Sequence, residues 1–180
     1  MNKSELKPFL DEKVQAFNAP HFIATDPIQI PHQFDSPEDI EIAGFLTALI
    51  AWGNRKAIIQ SAEKMMDFLH HSPYDFVMNH SQEELSGLSR FTYRTFQGED
   101  FPFIVKRLRA CLEAYGSLEQ FFVQHQSPTQ LQDAIAQLHR FFFIDHAKHR
   151  SAKHIANPAK GSSAKRINMF LRWMIRKDPS

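Results

Sequence analysis

Lys165, followed by Arg166, Arg172 and Arg176 and preceded by Lys160, Gly161, Ser162 and Ser163, marks the stretch whose residue types and spacing could do chemistry. Pro158 and Gly161 break the preceding structure, Ser162 or Ser163 can cap the next helix, and Ile167, Phe170, Leu171 and Met174 then recur with helical spacing. At about 100° per residue, Lys165, Arg172 and Arg176 fall within about 40° of one another, opposite that apolar stripe. A glycine-containing turn whose backbone amides open a helix can hold a phosphate, and basic side chains on the outer face extend the contact. A lysine there feels the helix N-terminus and the neighbouring Arg166, both of which disfavour its charge. That suits an amine that must attack a sugar carbon. The competing readings are a lysine that only touches phosphate and a solvated amphipathic helix whose arginines snorkel.

Other chemistry-bearing residues are less ordered. Trp52, Asn54, Arg55 and Lys56 sit at a junction between two apolar segments, where an exposed side chain could bind and a tryptophan could equally be core. Arg94 lies between Tyr93 and Phe96, which can hold its stem. His139, His146, His149 and His154 do not share one helical face, and no cysteine lies near them, so the spacing is poor for a metal. The acid pairs Glu83-Glu84 and Glu99-Asp100 read as solvated turns without chemistry. There is no dinucleotide fingerprint, Walker loop, nucleophile elbow or zincin motif, and no cofactor is expected.

Charge supports an anionic partner for the C-terminal end. The net charge is only +1, yet residues 151–180 hold seven Lys or Arg against one acid, leaving fourteen against nineteen in residues 1–150. The single cysteine excludes an internal disulfide framework. No signal-like or membrane-length apolar run is present, so a cytoplasmic protein with no membrane partner is expected.

The elements that must position these residues read as helices with short connections. A first helix over 4–18 presents Leu6, Leu10, Val14 and Phe17 on one face, with Ser4 as its cap. Residues 19–37, with prolines at 20, 27, 31 and 37, read as an extended connection. The segment PEDIEIAGFLTALI, 37–50, puts its acids in the first turn and is then almost wholly apolar, which predicts a buried core helix. Asn54 can cap a helix over 55–70, Ser81 one over 82–88, and Ser117 one after Gly116. Further helices are predicted over 101–115 and 129–145. The prediction is a single all-α domain, with a helical core over about 38–150 and a hairpin plus basic helix over about 150–177.

The helix at 38–69 with its Trp52-Gly53-Asn54 junction, the YRTF segment at 93–96, and above all NPAKGSSAKRINMFLRWMIR resemble a family of uncharacterised conserved bacterial proteins of Bacteroidetes type. That family is in turn similar to the helix-hairpin-helix DNA glycosylase superfamily. The resemblance covers nearly the whole chain. It implies a helical DNA-binding fold in which Pro158, Gly161 and Lys165 match the hairpin's proline, one of its glycines and, in bifunctional members, the lysine that attacks the sugar of the damaged nucleotide. It also places Trp52, Asn54 and Arg55 near the DNA, and the basic turn and helix read above add Lys160, Gly161, Ser162, Ser163, Arg166, Arg172 and Arg176 as expected DNA contacts.

Two departures are visible. Serines stand where the second hairpin glycine would be. The superfamily's essential aspartate, in a Pro-(apolar)-Asp-x-His setting, has no counterpart, because Asp178 lies in no such setting. The chain therefore reads as truncated after the helix and as inactive by itself, with the stripe of helix 164–176 left to self-associate. Three functions remain open: a base-excision glycosylase or lyase, a DNA-binding module without chemistry, and a protein-interaction module.

Overall fold

The computed structural model describes residues 2–127 and 131–175. It is mostly helical, in agreement with the all-α expectation, with a single two-stranded hairpin as its sheet among the described residues. In chain order the helices are α1 Lys3–Phe17, α2 Pro20–Ile23, α3 Pro37–Ile50, α4 Arg55–Phe68, α5 Pro73–Asn79, α6 Gln82–Gly87, α7 Asp100–Tyr115, α8 Leu118–His125, α9 Leu131–Phe143 and α10 Lys165–Ile175. The strands β1 Thr92–Tyr93 and β2 Phe96–Gln97 lie between α6 and α7.

α3 is the centre of the domain. Ser36 Oγ accepts the Asp39 N–H at 3.1 Å, Pro37 opens the first turn, and every residue from Ile42 to Ile50 is buried. A helix apolar on all sides must be covered on all sides, and α4, α5 and α10 do so. Gly44 admits the closest approach: a Cβ there would stand 2.8 Å from Cε of Met174 on α10. The stripe of α10 is seated on this surface, with Ile167 and Phe170 buried and the Phe170 ring edge-on to Phe45 at 5.4 Å. Leu171, Met174 and Ile175 line an open apolar groove of about 690 Å³, shared with Ile40, Phe122 and Leu131.

Predicted caps hold at several places. Asn54 Oδ1 accepts Ala57 N–H, Ser81 and Glu84 form a reciprocal capping box, and Ser117 Oγ accepts Gln120 N–H. Gly116 ends α7 at φ +84°. The start of the helix predicted over 129–145, including Pro128, lies outside the described residues, as do Arg176 and Asp178.

Three expectations are corrected. Residues 19–37 are not extended: each proline opens a turn, giving α2 and the 3-10 turns Pro27–Gln29 and Pro31–Gln33, and Ile28 and Ile30 are buried beneath them. α1 is capped by Asn2, which forms a capping box with Glu5, rather than by Ser4. Its apolar face is largely open among the described residues, with Leu6, Leu10, Val14 and Phe17 all 40% or more exposed and Phe17 meeting Phe22 edge-on at 5.4 Å. Asp100, finally, is fully buried rather than solvated.

Cys111 on α7 is buried, and burial first, with Glu41 nearby, pushes its thiol up to about 12. The native protein is therefore expected to leave Ellman's reagent unreacted at pH 8, with one thiol appearing on addition of denaturant; rapid reaction without denaturant would contradict the burial.

Candidate phosphate-binding turn and its supports

The turn that leads into α10 is built from a few local bonds. Asn157 Oδ1 accepts Ala159 N–H at 2.9 Å and starts the 3-10 turn Pro158–Lys160, whose Pro158 is buried. Gly161 follows in the left-handed region at φ +80°. Ser162 Oγ accepts Ala164 N–H at 3.2 Å, and Ala164, also at positive φ, turns the chain into α10. Asn168 ties the turn back to the helix by donating from Nδ2 to the carbonyls of Ser163 and Ala164.

The expected cap of α10 by Ser162 or Ser163 does not form among the described residues: Ser162 Oγ accepts Ala164 N–H within the turn, and Ser163 Oγ accepts no amide of the helix. The amides of Lys165, Arg166 and Ile167 in the first turn therefore have no hydrogen-bond partner among the described residues, nor do those of Ser162 and Ser163. Of these residues Ser162 and Ser163 line an open hollow of about 460 Å³, together with Gln132, Ile135, Pro158, Gly161 and Asn168. Lys160 and Lys165, on either side of Gly161–Ala164 in the chain, are both exposed, and neither is paired with a carboxylate among the described residues. Five unpaired donors at the positive end of a helix dipole, with two lysines beside them, can bind an anion with several oxygens.

The other predicted contacts are held by the protein itself. Arg166 does not point outward: its guanidinium donates to Leu49 O at 2.5 Å and to Lys153 O at 3.1 Å, so α10 is clamped to the end of α3 and to the 3-10 turn Arg150–Lys153. Burial holds this guanidinium below the ordinary arginine pKa. Asn54 is the cap of α4, and Arg55 lies over the Phe22 ring with its Nε 3.8 Å from Asp26. Arg172 is exposed and donates to Asn18 Oδ1 at 3.4 Å. Thus Gly161, Ser162 and Ser163 line one hollow, with Lys160 and Lys165 near them in the chain and exposed, while Arg166, Asn54, Arg55 and Arg172 are engaged elsewhere.

The segment carrying the turn is fastened by a buried network that sequence reasoning missed. Asp100, at the start of α7, accepts from Ser151 Oγ at 2.7 Å through Oδ1; Oδ2 takes Gln97 N–H at 2.9 Å, Arg150 Nη1 at 3.1 Å and His154 Nε2 at 3.2 Å. Burial alone would raise its pKa, but the bonds from His154, Gln97 and Ser151 outweigh that and bring it to about 2. Arg150 also donates to Gln97 O and to Thr95 O, so the β1–β2 hairpin and the approach to the 157–164 turn share one anchor. The available signal was an acid three residues after Gln97 at a helix start, where a carboxylate folds back onto a free amide.

The histidines are used singly. His154 serves Asp100, His139 Nδ1 is 2.6 Å from Ile155 O, and His149 stacks on Phe103 at 3.8 Å. No group of three or more metal-ligating side chains lies together among the described residues.

No helix among the described residues is long and apolar enough to cross a membrane. Comparison with curated proteins and with solved structures returns no match. A family model does match residues 26–180, a span that includes the turn, the Asp100 network and α10 and leaves out α1. The chain therefore belongs to the family described as Protein of unknown function (DUF2400).

Proposed function

We propose that this chain is a DNA-binding helical domain that seats a backbone phosphate on the turn 157–164 and the first turn of α10. The observation that carries the reading is the set of five amides, of Ser162, Ser163, Lys165, Arg166 and Ile167, without a partner among the described residues, with the exposed Lys160 and Lys165 in the same stretch. A phosphodiester offers the acceptors these donors lack, and a repeating polyanion suits a basic C-terminal segment on an otherwise acidic chain. The likeness to the helix-hairpin-helix superfamily supports the same assignment. Such contacts position a duplex without reading its sequence.

The test is duplex binding as a function of salt. Affinity is expected to fall as salt rises, and the Lys160→Ala/Lys165→Ala double variant should lower the slope of log K against log salt by about two. Equal low-salt affinity for wild type and double variant would place the DNA face elsewhere.

A second reading makes Lys165 a nucleophile in a base-excision glycosylase or lyase. It is favoured by an exposed amine, unpaired with any carboxylate among the described residues, at the head of the helix whose amides would hold the phosphate. Borohydride trapping on a duplex with an abasic site separates the readings. A covalent adduct lost in Lys165→Ala would establish the nucleophile, and no adduct alongside normal binding would leave the domain a binder.

A further inference from the structure

We infer that Arg94, held over the Trp52 ring, is a stacking contact for an unpaired nucleobase; the inference rests on the DNA-binding reading above and adds to it a preference for unpaired or opened DNA.

Arg94 begins the two-residue loop Arg94-Thr95 that joins β1 and β2, where Tyr93 pairs with Phe96. It adopts φ +56°, a conformation that such loops ordinarily assign to glycine or asparagine. The neighbouring structure makes room for it. Gly53, at φ +110°, approaches so closely that a Cβ there would be 2.7 Å from Arg94 Nη1 and 3.3 Å from the Tyr93 hydroxyl. The guanidinium carbon lies 4.3 Å from the Trp52 ring centroid. Both partners are held independently of that contact. Tyr93 Oη donates to Trp52 O at 2.9 Å, while Arg150 and Asp100 grip the strand after the loop and Phe96 is buried below it.

Despite this fixed placement, Arg94 is exposed and makes no hydrogen bond or ion pair among the described residues. A surface arginine without a task ordinarily keeps its side-chain freedom and an unstrained backbone. Here the guanidinium lies over an indole with Nη1 beside Gly53, and the side chain is otherwise exposed to solvent. A second π plane completes such a stack, as arginine between aromatic groups commonly does with bases. A paired base hides its faces inside the duplex, so the ligand with an available face is an unpaired one. The Arg94 loop and the phosphate turn are both tied to one element, the 3-10 turn Arg150–Lys153, which fixes the one relative to the other. Arg150 reaches the Thr95 carbonyl, and Arg166 of α10 reaches the Lys153 carbonyl about 6 Å further along.

The test compares three labelled probes at one low salt concentration: a single strand, a perfect duplex, and a duplex with a short mismatched bubble. The variants are Arg94→Gly, which relieves the positive φ and so keeps the hairpin, and Arg94→Lys, which keeps the charge and loses the plane. Both are expected to weaken single-strand and bubble binding by roughly 10- to 100-fold and to leave perfect-duplex binding within about two-fold. In a Trp173→Phe background, where Trp52 is the remaining tryptophan, the single strand should also quench its emission. Wild-type affinity for the single strand in Arg94→Lys would show a charge contact to phosphate and overturn the stacking assignment, as would an equal loss on all three probes. Retained duplex binding with no effect of Arg94→Gly on any probe would overturn this inference alone, whereas no binding of any probe by wild type would overturn the DNA reading and this one together.

Discussion

Replacing Asp100 with alanine is expected to lower the free energy of unfolding by about 3–5 kcal/mol, since it leaves Ser151, Arg150, His154 and the Gln97 amide without the buried acceptor they share. The carboxylate is held at about 2 against an ordinary value of 3.8. A depressed acid stabilises the fold fully above its unfolded pKa and loses that contribution as pH falls toward the folded one. Wild type should accordingly lose on the order of 2 kcal/mol between about pH 5 and pH 2 through this group. Asp100→Asn, which cannot ionise, should start lower and show a flatter profile there. Urea midpoints at several pH values for both proteins check this, and parallel profiles would mean that Asp100 is not the titrating group. Because the same carboxylate anchors Gln97 and Arg150, the variant should also loosen the hairpin that presents Arg94, visible as faster amide exchange around residues 93–97.

Arg166→Ala is the second large effect, expected to cost about 2–4 kcal/mol. The guanidinium makes two charge-assisted bonds to carbonyls 104 residues apart, Leu49 and Lys153, in a partly buried site. Losing it strands both acceptors and frees the first turn of α10 from α3 and from the 3-10 turn Arg150–Lys153, so the amides proposed to hold phosphate lose their fixed direction. Lysine should recover only part of this, since one ammonium cannot fork between the two carbonyls as the planar group does. DNA affinity should fall in Arg166→Ala with the salt slope retained, because the missing charge is not one that faces phosphate. A slope reduced by about one, with stability unchanged, would return Arg166 to the DNA face.

Local signals were legible where a residue's role depends on its own neighbours in sequence. Ser36-Pro37 and the acids behind it announced α3, Asn54 announced α4, Gly116 ended α7, and Pro158 with Gly161 located the turn. Caps and left-handed glycines act within four residues, so a linear pattern contains them. The apolar run of α3 likewise foretold complete burial, because few environments accept a helix without a polar side. The β1–β2 hairpin was missed because strands of two residues are too short to show alternation.

Direction and partnership over distance were decided only by the tertiary structure. Lys165 and Arg166 are adjacent and both basic, yet one stands in solvent and the other is turned inward, because the open acceptors at Leu49 and Lys153 lie on one side of α10 only. Asp100 and Glu99 look alike in the chain, and one is the buried centre of a four-donor network because α7 brings it beneath residues 150–154. Glu41 caps α8 by accepting the amides of Leu118 and Glu119, a bond across 77 residues that no local pattern contains. Trp52 meets Arg94 for the same reason. Periodicity states which residues can share a face. Which face is covered, and which donor finds which acceptor, depends on packing between distant segments, as the largely open apolar side of α1 shows.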